Sequence, residues 1–257
     1  MLGNPISFSS DDASHTHSLD TLNLLAQYID FMRSIDKLCD VGCGDGKDLA
    51  WWATRTIDDD DDEAVPLNIS CTGIDVLPSC KPASTYKNIR YERHDFEMDP
   101  FKTNEYDVLW CHNAFQYAIT PIATLANFNK MLKNDGMLGI VVPQTTNVVY
   151  HKQEYDQLNG QYFNHTLVSL IHMLALLGFD CKSGFFKKNF EDPWLHAIVY
   201  KSKHAPMDLR TTKWTDLLEK DLLPSSAEAS INRCGYVRQR DLILPWLDKS
   251  NRDYGQS

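Results

Sequence analysis

The sequence predicts an α/β domain in which a mostly parallel sheet is covered by helices on both faces. Three observations indicate this class. Short apolar runs of strand length alternate with segments of helical character. The first run ends in three closely spaced glycines, and the last two runs form a predicted hairpin. Strands that alternate with helices pair in parallel, because each helix returns the chain to the same end of the sheet.

The first strand and its turn are predicted from residues 38–46, which read Leu-Cys-Asp-Val-Gly-Cys-Gly-Asp-Gly. The run contains Asp40 and leads into Gly42, Gly44 and Gly46. Glycine adopts backbone angles closed to other residues and lets a ligand lie directly on the main chain. Residues 47–57 then predict a helix, whose first N–H groups face the same turn. The pattern favours a nucleotide-binding turn, and a purely structural glycine turn stays open.

Two other cofactor classes fit this turn less well. A dinucleotide turn follows Gly-x-Gly-x-x-Gly, and counted from Gly42 its third glycine falls where Lys47 stands. A pyrophosphate is also disfavoured by Asp40 just before the turn. An iron–sulfur site would need a third cysteine in register with Cys39 and Cys43, and position 46 is glycine.

The second strand is predicted over residues 69–76 and reaches an acid, Asp75. A carboxylate at this point can accept hydrogen bonds from both hydroxyls of a ribose. The spacing from Gly42 to Asp75 is longer than the ~20 residues typical of such units. Residues 58–63 are all acidic. Six adjacent like charges cannot pack together, so they predict an inserted surface loop.

The remaining elements follow in the same alternation. A third strand leads into Asp95 and Phe96, and a fourth leads into His112 and Asn113. The predicted ranges are strand 89–95, strand 106–111, helix 121–132, turn 133–136, strand 137–142, helix 166–177, and hairpin strands 179–186 and 195–200.

These motifs resemble those of class I S-adenosylmethionine (SAM) methyltransferases of the type 11, UbiE-like kind. The resemblance covers residues 18–201 and implies a seven-stranded doubly wound sheet of order 3-2-1-4-5-7-6, with the last strand antiparallel. It also implies that Asp95 and Phe96 meet the adenine. The cofactor residues implied together by the motifs are Asp40, Gly42, Cys43, Gly44, Gly46, Asp75, Val76, Asp95, Phe96, His112 and Asn113.

Three regions are expected along the chain. Residues 1–36 form a helical cap with an amphipathic helix at 19–32, residues 37–203 form the SAM-binding core, and residues 204–257 form an appendage packed on the core. We expect the appendage either to close over the substrate or to make a homodimer contact.

Composition limits the partners. The net charge is −10, and the acidic excess lies in residues 1–179, which carry the predicted cofactor turns. This charge suits a cationic cofactor and makes nucleic acid an unfavoured partner, because binding phosphates needs cationic side chains. The seven cysteines are unclustered, which favours reduced thiols, and the spacing of cysteine and histidine predicts no metal site. No signal peptide and no membrane-spanning run is recognisable, so we expect a cytoplasmic protein.

The acceptor is the least determined part of the prediction. The motifs of amino-methylating DNA enzymes, cytosine-C5 enzymes and protein-arginine enzymes are absent after the fourth strand. A small molecule is the expected acceptor, with tRNA or protein as alternatives. His112 is the candidate general base, since its ordinary pKa is near neutrality. The predicted substrate-binding residues, which follow strands four and five, are Phe115, Gln144, Tyr155 and Tyr162.

Two further hypotheses stay open from the sequence. The chain could be a catalytically idle subunit that binds SAM or a nucleotide, or an NAD-dependent oxidoreductase. Product formation distinguishes the enzyme from the idle subunit, and the cofactor that stabilises the protein distinguishes SAM from NAD.

Overall fold

The computed structural model describes residues 35–58, 64–76, 86–144, 165–188 and 194–244. Its main sheet has seven strands in the spatial order β5-β4-β1-β6-β7-β9-β8. The strands are β1 (Lys37–Val41), β4 (Ser70–Asp75), β5 (Ile89–Arg93), β6 (Tyr106–His112), β7 (Leu132–Pro143), β8 (Phe179–Lys188) and β9 (Trp194–Lys201). Numbered along the chain within this sheet, the order is 3-2-1-4-5-7-6. The predicted fold class is confirmed.

Strand directions also follow the prediction. The pairs joining β5, β4, β1, β6 and β7 are parallel, and β9 runs antiparallel to both of its neighbours. Parallel strands place their carboxyl ends along one edge of the sheet, where ligands bind in open α/β folds. The chain segments that follow β1, β4, β5 and β6 therefore meet at this edge.

Helices cover the sheet on both faces. The helices are α1 (Lys47–Ala53), α2 (Pro121–Met131), α3 (Leu167–Leu176), α4 (Trp214–Glu219) and α5 (Ser226–Cys234). Alternate residues of β6 serve the two faces: Leu109 and Cys111 pack with α2 and α3, whereas Val108 and Trp110 pack with the tryptophans of α1. This period of two is what a strand buried on both faces requires.

The first predicted helix is shorter than expected. It ends at Ala53, because the chain then forms a small antiparallel hairpin of β2 (Thr56–Asp58) and β3 (Ala64–Pro66). The sequence analysis missed this hairpin, because the acidic run beside the two short strands indicates only a loop. Residues 59–63 lie outside the described part of the chain.

The predicted turn at 133–136 is wrong. Strand β7 begins at Leu132 and includes these residues, with a register irregularity opposite Tyr106 and Val108 and a left-handed Asp135 at φ 59°. The side chain of Lys133 forms an ion pair of 2.7 Å with Asp107 across the strands. The polar run is thus accommodated inside the strand as an irregularity.

The segment after β9 packs on the core. Leu217 of α4, Leu222, and Ile231 of α5 belong to the same buried cluster as α2 and α3. Asp241 stabilises the end of this segment by accepting hydrogen bonds from Ser230, Arg233 and Arg238. The predicted helix at 19–32 and the end of the appendage lie outside the described residues. No helix within the described ranges has the length and apolar character to cross a bilayer.

Candidate active site

A cleft of about 680 Å³ opens at the carboxyl ends of β1, β4 and β6. This volume is within the range of small-molecule sites, which is roughly 300–1,000 Å³. Its lining residues are Gly42, Gly44, Asp75, Val76, Asp95, Phe96, Glu97, Asn113, Ala114 and Tyr117. None of these ten residues has a cationic side chain, and three of them carry a carboxylate.

The glycine turn has three left-handed glycines with different surroundings. Gly42, Gly44 and Gly46 have φ of 74°, 50° and 79°. A Cβ at Gly42 would collide with Ala114, and one at Gly46 would collide with the Tyr91 hydroxyl. A Cβ at Gly44 would have no atom of the described residues within 4 Å. Gly42 and Gly46 are therefore required by packing. Gly42 and Gly44 both line the cleft, and at Gly44 an added side chain would enter open space.

Asp75 at the end of β4 fixes the turn from the opposite side. Its Oδ2 accepts a hydrogen bond of 3.0 Å from the Gly44 N–H. Asp75 is buried, with 8% of the residue exposed. The N–H of Gly42 also donates to the Ile74 carbonyl, at 2.8 Å. The turn and the predicted ribose-binding carboxylate thus form one connected unit.

Asp40 is buried beneath the turn and is not a lining residue of the cleft. Burial, together with the charges of Asp48, Asp75 and Asp45, raises the pKa of its carboxyl well above the ordinary value. Its Oδ2 has no hydrogen-bond partner among the described residues. A cation near this carboxyl would favour its ionised form.

The opposite wall is formed by the segment after β5. Phe96 packs against Phe128 of α2, with ring centroids 6.0 Å apart. Asn127 donates to the carbonyls of Phe96 and Glu97, at 3.2 Å each. The Glu97 carboxylate accepts from the Thr120 N–H at 2.8 Å. These contacts hold the wall against α2.

The third wall is the turn after β6. Asn113 lies in the left-handed region at φ 53°, a conformation in which asparagine is enriched. Its N–H donates to the Val141 carbonyl at 3.0 Å, and its side-chain oxygen accepts from the Gln116 amide. Asn113, Ala114 and Tyr117 consequently face the cleft.

The candidate base His112 has a different position. Its Nδ1 lies 2.9 Å from Asp48 of α1, which also accepts from the Trp110 indole at 2.8 Å. The imidazole ring lies 6.2 Å from the ring of Trp194. His112 is not among the lining residues of the cleft, so its catalytic role stays a prediction.

The predicted acceptor side contains a histidine that the sequence analysis did not select. His165 stacks on Phe115, with ring centroids 5.2 Å apart and planes at 20°, and bridges to Gln144 through the backbone. Burial lowers the pKa of His165 to about 4. The imidazole is therefore neutral at physiological pH. Tyr155 and Tyr162 lie outside the described residues.

The structure brings most of the predicted cofactor residues to one place. Gly42, Gly44, Asp75, Val76, Asp95, Phe96 and Asn113 line the cleft, whereas Asp40, Cys43, Gly46 and His112 lie behind it. Sequence reasoning missed Glu97, Ala114 and Tyr117. Only their position in the sequence could have indicated them, since each lies within four residues of a residue that was selected.

Comparison with known families gives the domain type. Residues 39–140 match the family model described as a methyltransferase domain. The match covers 102 of the 257 residues of the chain. The matched range begins in β1 and ends in β7, so it includes every described lining residue of the cleft. A search of curated proteins found no match to the sequence.

Solved structures of low sequence identity share the fold of this chain. One, at 16% identity and a TM-score of 0.57, is from a complex of the Haloferax volcanii Trm112 methyltransferase activator with a methyltransferase; the match covers 73% of this chain and 90% of that one. Another, at 13% identity and a TM-score of 0.51, is the Burkholderia thailandensis 1,6-didemethyltoxoflavin-N1-methyltransferase with S-adenosylhomocysteine, covering 79% and 95%. A third, at 16% identity and a TM-score of 0.52, is the cyclase SpnF, covering 73% and 80%.

Proposed function

We propose that this chain is a SAM-dependent methyltransferase that acts on a small molecule. The observation that carries the proposal is a cleft with three carboxylates, no cationic side chain among its described lining residues, and bare backbone at Gly44. A sulfonium cofactor without phosphates suits these charges. A dinucleotide would place a pyrophosphate beside carboxylates with no cation to neutralise it.

The residues present fit SAM at both ends of the cleft. Asp75 is positioned to accept hydrogen bonds from ribose hydroxyls, and Asp95 with Phe96 can bind an adenine by hydrogen bonding and ring packing. The open space at Gly44 is where a ligand can lie on the main chain. The partnerless Oδ2 of Asp40 supplies a buried acid beneath the turn that a cationic cofactor would stabilise in its ionised form.

The contribution of the protein to catalysis is mainly alignment. SAM, when bound, supplies a methyl group already activated by its sulfonium. The walls formed by Phe96 and by Asn113–Tyr117 exclude water and hold the acceptor in line, and such alignment can supply most of the acceleration. A base is required only if the acceptor atom loses a proton. His112 remains the proposed base, and its Nδ1 contact with Asp48 would orient the imidazole.

A catalytically idle subunit is the alternative from a different class. The fold alone does not establish methyl transfer, since a protein described as a [4+2]-cyclase, SpnF, shares the same architecture. A tRNA acceptor is less favoured by the acidic cleft, because nucleic acid needs cationic contacts, whereas a protein acceptor stays an alternative. The homodimer contact through the appendage is part of the proposal and rests on the sequence alone.

The decisive experiment measures product. The purified protein is incubated with methyl-labelled SAM and a small-molecule extract, and S-adenosylhomocysteine and labelled products are quantified by mass spectrometry. We expect turnover with the wild type and strongly reduced turnover with Asp75→Ala when the SAM concentration is near the wild-type Kd. Binding of SAM without product in any extract would favour the idle subunit. Stabilisation of the protein by NADH and not by SAM would overturn the cofactor assignment.

A further inference from the structure

A cluster of buried polar side chains lies next to the cleft and is not used by the proposed cofactor contacts. It consists of Gln116, Gln144 and His165, of which His165 stacks on Phe115, and we refer to it as the acceptor-side cluster. The three polar residues are 0%, 6% and 3% exposed. Gln116 Oε1, Gln144 Oε1 and His165 Nε2 have no hydrogen-bond partner among the residues that the structure describes.

Direct contacts connect this cluster to the cleft. Asn113 lines the cleft, and its side-chain oxygen accepts a hydrogen bond from the Gln116 amide nitrogen. Phe115, the residue before Gln116, stacks on His165, and His165 bridges to Gln144. The cluster therefore lies directly behind the wall formed by the turn after β6.

Burying these three polar atoms without hydrogen bonds is unfavourable unless another molecule supplies the bonds. Most buried polar side chains in proteins have a hydrogen-bond partner, because an unpaired buried group costs free energy. Here three such atoms belong to residues that are linked by the stacking of Phe115 on His165 and by the bridge between His165 and Gln144. Buried polar groups without partners on linked residues indicate a site whose hydrogen bonds form with a ligand.

The chemistry of the three atoms limits the ligand. The two amide oxygens can only accept hydrogen bonds. A neutral imidazole nitrogen can accept one too, and burial holds His165 in this neutral form. The complementary ligand has N–H or O–H donors. A carboxylate or phosphate would meet two carbonyl oxygens here and the carboxylates of Asp75, Asp95 and Glu97 in the cleft.

We propose that Gln116, Gln144 and His165 recognise the methyl acceptor through hydrogen bonds donated by its N–H or O–H groups, so that the acceptor is not an anion. The inference rests on the proposed methyltransferase function. It assigns the acceptor a chemical class and gives His165 a direct contact with it.

Two probes of the same shape test this assignment. Benzamide carries N–H donors and no charge, whereas benzoate replaces the amide with a carboxylate. The protein is labelled with ¹⁵N-histidine, loaded with S-adenosylhomocysteine, and titrated with each probe while histidine ring resonances are followed by NMR. Benzamide should shift the His165 Nε2 resonance, and benzoate should leave it unchanged. Equal responses to both probes, or no response of His165 to benzamide, would overturn the inference.

Variants separate a ligand site from a structural role. His165→Phe and Gln144→Met remove unpartnered polar atoms while keeping the side-chain volume, so they should hold or raise the melting temperature. They should weaken benzamide binding about tenfold or more. His172→Phe is the matched control, because His172 also stacks on a ring, that of Trp214, and burial lowers the pKa of His172 too. It should leave benzamide binding unchanged.

The outcomes distinguish this inference from the function on which it rests. Failure of S-adenosylhomocysteine to bind the wild type would overturn the proposed function and the inference with it. Normal cofactor binding with no selective effect of His165→Phe would overturn the inference alone. A fall in melting temperature for both His165→Phe and Gln144→Met would also contradict it, because it would show a structural role for these polar atoms.

Discussion

Replacing Gly44 by valine should abolish cofactor binding while leaving the fold intact. A Cβ at this position has no atom of the described residues within 4 Å, so the side chain projects into the cleft without a steric clash there. The remaining structural cost is the left-handed backbone at φ 50°, roughly 1–2 kcal/mol for a non-glycine residue. In a protein of this size that cost lowers the melting temperature by about 2–8 °C.

The ligand response is the informative quantity. At a concentration of about 100 times its dissociation constant, S-adenosylhomocysteine should stabilise the wild type by ~2.7 kcal/mol. That stabilisation corresponds to a rise in melting temperature of roughly 5–10 °C. The Gly44→Val variant should show no rise, because the valine occupies the space that the ligand needs. Differential scanning fluorimetry with and without ligand measures both effects.

Gly235 offers a matched control. It ends α5 in the same left-handed region, at φ 77°, and a Cβ there also has no protein atom within 4 Å. Gly235→Val should therefore lose a similar stability and keep the full response to the ligand. If Gly44→Val is folded and responds as strongly as Gly235→Val, the glycine turn does not hold the cofactor.

Further predictions concern three carboxylates. Asp75→Ala should weaken SAM by roughly tenfold to a few hundredfold by calorimetry, since charge-assisted hydrogen bonds contribute ~1.5–3 kcal/mol each; unchanged affinity would refute the ribose assignment. The raised pKa of Asp40 means that the folded state holds a proton that the unfolded state releases, so wild-type stability should fall as pH rises above the ordinary aspartate range. Asp40→Asn should remove that fall, and coincident melting profiles against pH would contradict it. The pKa of Asp241 is lowered because Arg238, Arg233 and Ser230 donate to it, so its stabilisation is present at neutral pH and lost in acid. Asp241→Asn should destabilise the protein without changing SAM affinity, and an altered affinity would show that the appendage contacts the cofactor.

The strands of the sheet were predictable because the sequence marks where they end. Apolar runs stop at Asp75, at Asp95 and at His112, and a glycine turn follows β1. These signals are local, so they can be recognised without tertiary information. The strand order required the family resemblance, since periodicity alone does not specify which strands are neighbours.

The prediction failed where tertiary pairing overrides a local signal. Residues 133–136 have the composition of a turn, yet the residues on either side of them, Leu132 and Met137, pair with β6, and Lys133 forms an ion pair with Asp107. The four residues therefore form an irregularity inside the strand. The β2–β3 hairpin was missed for a related reason, because a run of six acids that begins at the last residue of β2 and continues up to β3 suggests only a loop.

The chain segments that form the site were predictable from the sequence. The direction in which each side chain of those segments points was less predictable. The spacing after β6 selected both His112 and Asn113, but neighbouring residues there face different ways. Asn113 faces the cleft and His112 faces Asp48 of α1. His165 carried no sequence signal, because its surroundings are created by the return of the chain beside Gln144.

The most direct test of the central claim is a crystal structure with S-adenosylhomocysteine. The account predicts the ribose hydroxyls on Asp75, the adenine against Phe96, and the ligand passing over the backbone of Gly44. A ligand bound at another surface, such as the space of about 620 Å³ beside Lys201 and Asp221 at the opposite edge of the sheet, would contradict it. So would a ligand in the cleft that makes no contact with Asp75.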